Sequence, residues 1–223
     1  MACRVSRRTD ADGKKQQLQI MAKRIGWILI LMLTMLAAKA QPLSEEALKR
    51  QPVFTSLEEA LKNPESVYRL KLKIKADSLP EEVFQLTNLQ EFTATRCKLN
   101  VLNQNIGKLI HLEYLNVMGN RLVRLPETLG NLVNLKTLVI CRNLIEALPE
   151  SIGNLKKLTY IDAWENPLYV FPESITELQN TLKTIDLRQI DLHNDELDKM
   201  EAQLPYTDIK YTSTCDCHDN RKK

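Results

Sequence analysis

One local pattern returns five times along this chain at intervals of 23 residues, marked by Leu79, Leu102, Leu125, Leu148 and Phe171, four of them followed by proline. A second series runs in register with it, clearest as Leu112-x-x-Leu115-x-Val117-x-x-Asn120-x-Leu122 and as Leu135-x-x-Leu138-x-Ile140-x-x-Asn143-x-Ile145. Apolar residues at alternate positions bury one side of a short strand and expose the other. A fixed period of this length makes each repeat a unit that buries its apolar side only by stacking on its neighbours. The asparagine falls where the chain turns inward after the strand, where its amide can serve backbone groups that would otherwise be buried without partners. The pattern predicts short parallel strands stacked into one sheet.

The run Leu-Pro-Glu-x-(Ile/Leu)-Gly-Asn-Leu at 125–132 and 148–155, followed each time by an apolar series at strand spacing, resembles the leucine-rich repeat family, and within it the secreted bacterial members. The resemblance covers residues 67–211. It implies an α/β solenoid with a curved parallel β-sheet on its concave face, and a binding activity directed most often at another protein. It implies no cofactor and no enzymatic role.

The segments on either side divide the chain further. Lys23 and Arg24 precede the apolar run 25–38, and Ala38-Lys39-Ala40 supplies the small-x-small pattern that signal peptidase needs before Gln41. Residues 1–40 therefore read as an N-terminal extension plus signal peptide, with Met1 or Met21 as the start. The mature chain is expected to be secreted, periplasmic or at the cell surface. The apolar run of 14 residues is shorter than the roughly 20 that a spanning helix requires, so no stable membrane span is expected in the mature chain. Tethering by an uncleaved signal anchor is the alternative.

Removing residues 1–40 takes away eight Lys/Arg and two Asp/Glu, which turns a net charge of +3 into about −3. Nucleic-acid binding thereby loses its electrostatic support, because affinity for phosphate backbones rests on cations. Cys97, Cys141, Cys215 and Cys217 remain, an even number that in an exported chain invites disulfides. Cys97 shares the column of the repeat asparagines, whereas Cys141 is predicted to face solvent two repeats away. At about 4.8 Å per strand the two start roughly 10 Å apart, beyond the reach of a disulfide.

Residues 41–66 read as an N-terminal helical cap, with short helices at 44–50 and 56–63. Ser56-Leu57-Glu58-Glu59 matches a capping box, and Asn63-Pro64 is a stop. Repeats occupy 67–192. The first has Lys75 in place of the asparagine, and in the last Ile190 replaces it after one residue is inserted between Leu178 and Leu182. Gly107, Gly130 and Gly153 mark a tight turn on the far side. Residues 193–211 form a C-terminal helix-plus-strand cap, with Leu197, Met200 and Leu204 inward, and 212–223 are a polar tail.

The outward columns of successive strands are Arg69, Lys71 and Lys73; Glu91, Thr93 and Thr95; Tyr114, Asn116 and Met118; Thr137, Val139 and Cys141; Tyr160, Asp162 and Trp164; Thr184, Asp186 and Arg188. Tyr114, Asn116, Met118, Val139, Tyr160, Asp162, Trp164, Asp186 and Arg188 make up the candidate ligand-binding set. Tyr and Trp bury much area with few rotors to freeze and so favour interface hot spots; cross-strand aromatics also stiffen a sheet. The same Tyr, Trp and Asp would suit a carbohydrate or cell-wall polymer, the alternative ligand class. Asp162 and Asp186 share a column on adjacent strands at roughly 5 Å, a separation that overlaps the carboxylate pairs of retaining glycosidases, but the repeats imply no deep pocket. An effector with an unrecognised catalytic activity would need an appended domain, and the roughly 12 residues after Tyr211 are too few to build one. Cys215-Asp216-Cys217-His218 has metal-ligand chemistry without a second pair of ligands.

N-terminal sequencing of the native protein is expected to begin at Gln41. An intact 25–38 segment recovered in the membrane fraction would support the anchor instead.

Overall fold

The computed structural model describes residues 42–212. The expected signal segment, and the tail from 213 onward with Cys215, Cys217 and His218, lie outside the described residues. Seven parallel strands form one sheet in chain order: β1 (Arg69–Lys71), β2 (Glu91–Thr93), β3 (Tyr114–Asn116), β4 (Thr137–Val139), β5 (Tyr160–Asp162), β6 (Thr184–Leu187) and β7 (Asp208–Tyr211). Paired residues are 22 apart between β1 and β2, 23 apart across the next three pairs and 24 apart in the last two. The chain is therefore an α/β solenoid of leucine-rich repeats whose period slips by one residue at each end.

Each of the first five strands is followed by a return segment built around a short 3-10 helix, as at Glu127–Asn131 and Glu150–Asn154. Proline stands immediately before four of the five such helices that lie between strands, where its fixed φ presets the entry into the turn. In the exceptional repeat Asn103 stands there, and its side chain accepts the Asn105 N–H at 2.8 Å, so a cap replaces the ring. In the last repeat, where the inserted residue falls after Leu178, the 3-10 helix runs to six residues, Glu173–Leu178.

The far-side glycines have a different cause from the turn read in the sequence. They lie inside these 3-10 helices, and a Cβ on Gly130 would fall 2.5 Å from Ser151 Cβ and 2.7 Å from its carbonyl oxygen. Neighbouring repeats stack too closely there for any side chain. The left-handed backbone turn sits instead just beyond the strands, at Arg96, Gly119, Arg142, Glu165 and Gln189, with φ between 56° and 70°.

The core is a stack of leucine, isoleucine and valine layers, with Leu115, Leu138 and Ile161 fully buried. The asparagines join those layers. Asn120 donates to Ala94 O and Val117 O, and its Oδ1 accepts the N–H groups of Cys97 at 2.9 Å and Leu99 at 3.1 Å. Asn143 donates to Val117 O, Ile140 O and Cys141 O and accepts from Leu122 N. Asn166 repeats the pattern one layer on. Cys97, in the same column, offers only long sulfur contacts to Leu72 O and Thr95 O.

Before β1 lie α1 (Glu45–Lys49) and α2 (Leu57–Leu61), capped by the hydroxyls of Ser44 and Ser56. Leu48 and Ala60 are buried and Leu57 and Leu61 pack on the core. Phe54 bridges to Leu70 along the free edge of β1. After β6, α3 (Asn194–Gln203) turns Leu197 and Met200 inward, with Leu204 buried just beyond it.

Replacing Asn143 by Leu removes four backbone partnerships in a buried turn and supplies no acceptor. It is expected to lower unfolding stability by about 1–3 kcal/mol, read as a shifted denaturant midpoint.

Candidate functional site

Alternation along three-residue strands is enough to place the candidate set. With Leu115, Leu138, Ile161 and Ile185 inward, their strand neighbours on both sides point the other way and line up across β3 to β6 in register. Tyr114, Asn116, Met118, Tyr160, Asp162 and Trp164 are half-buried on this outward face and Arg188 is exposed. Thr137 and Thr184 stand in the same columns.

Three outward residues are covered, contrary to the sequence reading. Val139 is 8% exposed, Cys141 0% and Asp186 3%. In a stacked column a short side chain lies below the tips of its neighbours: Cys141 sits between Met118 and Trp164, and Val139 between Asn116 and Asp162. Asp186 is covered by Arg188, whose Nε and Nη2 donate to its two oxygens at 2.9 and 2.6 Å. Val139 and Asp186 therefore shape this surface from below instead of offering contacts at its top. Cys97 and Cys141 are both free thiols.

The remaining polar groups are held in fixed orientations. Asn116 donates to the Tyr114 hydroxyl at 2.9 Å and accepts the Met118 N–H at 3.0 Å. Arg142 stacks its guanidinium 4.5 Å from the centroid of the Trp164 ring, and its Nε donates to Glu165 at 2.8 Å. The indole is thus gripped on one face by a cation that is itself anchored. Beside it lies a shallow depression lined by Trp164, Arg188, Gln189 and Thr212. Arg142, Gln189 and Thr212 were not in the sequence-derived set. The available signal was Gly119, which occupies the same repeat position as Arg142 and marks it as a place where the backbone turns left-handed and throws its side chain back over the sheet.

The two aspartates that pair across β5 and β6 have opposite fates. Burial raises the pKa of Asp162 and the Asp186 charge adds to the rise, while hydrogen bonding from the Cys141 thiol and the Trp164 backbone N–H opposes it without cancelling it; Oδ1 itself is buried without a hydrogen-bond partner. Burial works the same way on Asp186, but the Arg188 hydrogen bonds and charge outweigh it and hold that carboxyl below its ordinary range. Cys141 is pushed up to about 12, by burial first and then by Asp162, so it is a protonated thiol and no nucleophile at physiological pH. Burial and the two carboxylates likewise raise the pKa of Tyr160, keeping its hydroxyl a donor. With Asp186 committed to Arg188, the pair is not the two free carboxyls that glycoside hydrolysis needs. Among the described residues no group of three or more His, Cys, Asp or Glu side chains converges to hold a metal, and no helix is long and apolar enough to cross a membrane.

The leucine-rich repeat region family matches residues 92–204, just over half of the chain, and the chain belongs to the leucine-rich repeat family. A leucine-rich repeat protein of Leptospira interrogans is similar in structure, with a TM-score of 0.55 and 27% identity over 74% of this chain and 49% of that one. A plant peptide hormone receptor solved with its peptide gives a TM-score of 0.44 and 26% identity over 62% of this chain and 23% of its own. The present chain thus spans about half the Leptospira protein and less than a quarter of the receptor. No curated protein matches in sequence. The leucine-rich repeat fold is typically a non-catalytic scaffold.

The aspartates make opposite predictions for stability against pH. Asp162, raised in the fold, destabilises it when ionised, and that penalty fades as pH falls through its raised pKa toward the unfolded value near 3.8. Asp186, lowered in the fold, stabilises above 3.8, and its contribution is lost as pH falls through its depressed pKa. Thermal unfolding from pH 7 to pH 3 is expected to show Asp162→Asn more stable than wild type at neutral pH, with the gap closing on acidification. Asp186→Asn is expected to be less stable at neutral pH, with its deficit shrinking on acidification.

Proposed function

We propose that this chain is an exported binding module, not an enzyme, and that it takes a protein partner on the outward face of its sheet around Trp164. The observation that carries this reading is the preparation of Trp164: half-exposed, clamped on one ring face by Arg142, and set at the rim of a depression with Arg188. An aromatic already held in one orientation loses little entropy on binding, which is what makes such residues hot spots. Tyr160 at the far end of β5 and Tyr114 two strands away extend the apolar surface, and the thiol and carboxyl beneath supply no competing chemistry. Export rests on the peptidase-like site before Gln41.

A cross-linking pull-down from the source cell surface supplies the partner, and calorimetry then reads the site. Trp164→Ala is expected to weaken binding by about 2 kcal/mol or more with the fold intact. Lys157→Ala, an exposed change away from the outward columns, is expected to leave the affinity unchanged. Equal affinity for wild type and Trp164→Ala would remove the outward face as the binding site. Selective retention on a glycan array with no protein partner would replace the protein ligand by a carbohydrate.

A further inference from the structure

The two edges of the sheet are finished differently. On the β1 side Phe54 closes the ladder, donating its N–H to Arg69 O at 3.0 Å and accepting the Lys71 N–H at 2.8 Å. On the β7 side no described segment follows. Asp208 donates its N–H to Lys183 O at 2.8 Å, so the backbone groups of Asp208 and Lys210 turn toward β6, while alternation leaves those of Ile209 and Tyr211 pointing away from the sheet. Tyr206 and Tyr211 are among the exposed large hydrophobics, at 76% and 45%, and Ile209 is only partly buried although it faces the core side. Among the described residues this is an open strand with apolar area around it, the kind of edge to which another strand adds.

The sequence of β7 selects the strand that fits. We propose that β7 is a self-docking edge, joining a second copy of this chain through antiparallel pairing about a two-fold axis at Ile209. In that register Ile209 and the partner's Ile209 exchange both backbone hydrogen bonds, which uses the groups that point outward. Asp208 then stands directly opposite the partner's Lys210, and Lys210 opposite the partner's Asp208, all on the outward face of the continued sheet. Centring the axis on Lys210 instead would set two lysines face to face, an unfavourable pair. Asp208 and Lys210 are 63% and 47% exposed and lie 3.9 Å apart within one chain, too loose a pairing to hold either in place. The two Ile209 side chains meet on the core side, so pairing continues the apolar layer from one solenoid into the other. The result is one sheet with the two binding faces turned the same way.

Charge reversal tests this on the protein as it accumulates in its host. Sedimentation equilibrium is expected to show a dimer that weakens at high salt. Asp208→Lys and Lys210→Asp, each alone, place like charges opposite one another and are expected to raise the dimer dissociation constant at least tenfold. An equimolar mixture of the two variants restores both opposite-charge pairs in a heterodimer and is expected to recover wild-type association. A misfolded variant could not be rescued in this way. A wild-type chain that stays monomeric, a dimer indifferent to either reversal, or reversals that mixing does not rescue would each overturn the proposal.

Discussion

The fold depends on satisfying a buried turn in every layer. A strand of three residues followed at once by an inward turn leaves carbonyls and N–H groups inside an apolar stack, and unpartnered groups there cost more than the short strand returns. Asn120, Asn143 and Asn166 meet that demand with one side chain each, bonding backbone of their own repeat and of the one before. Because each amide reaches back to the preceding layer, the ladder also locks register between repeats. The column ends where the architecture changes. Lys75 is exposed at the first position, and Ile190, buried but without a side-chain amide, stands at the last, where α3 follows in place of another 3-10 return.

This inward economy frees the outward face. Stability of a stacked repeat is set by the inner residues and by contacts between neighbouring layers, so the residues between the leucines can carry unfavourable chemistry. Asp162 does so, with a buried oxygen that no donor reaches. Its neighbour differs by a single arginine two residues on: Arg188 covers Asp186 and neutralises it, whereas Trp164 holds the equivalent place after Asp162 and directs its own charge partner, Arg142, to its ring. The same column thus holds one carboxylate that strengthens the fold and one that weakens it.

The strands were legible in the sequence because alternation is local and the period repeats it, and the inward positions of Leu115, Leu138 and Ile161 needed no more than counting. The reason for the far-side glycines was not, since the clash that excludes a Cβ at Gly130 comes from Ser151 in the next repeat. Burial of Val139, Cys141 and Asp186 escaped for the same reason: periodicity gives the face a residue points to, while its cover depends on the lengths of its neighbours one strand away. Arg142 is the sharpest case. Its place on Trp164 depends on a positive φ in a non-glycine residue, and only Gly119 at the equivalent position hints at it.

A solenoid has no closed core, so its two ends pose one physical problem in which the last layer must be covered or shared. At the first end α2 packs Leu57, Ala60 and Leu61 on the core and Phe54 runs along the strand edge. At the other, α3 covers the apolar layer and leaves the strand edge of β7 free among the described residues. Side-chain cover and backbone cover are separate requirements, met by different elements, and among the described residues only the first end shows both. An edge strand is ordinarily protected by placing charge on it, and a single lysine is enough for that. β7 places an acid and a base two residues apart on one face, which repels an identical strand in one register and attracts it in another. Two charges of opposite sign therefore choose a register where one charge would only discourage contact, and the open end of the stack becomes selective instead of merely exposed.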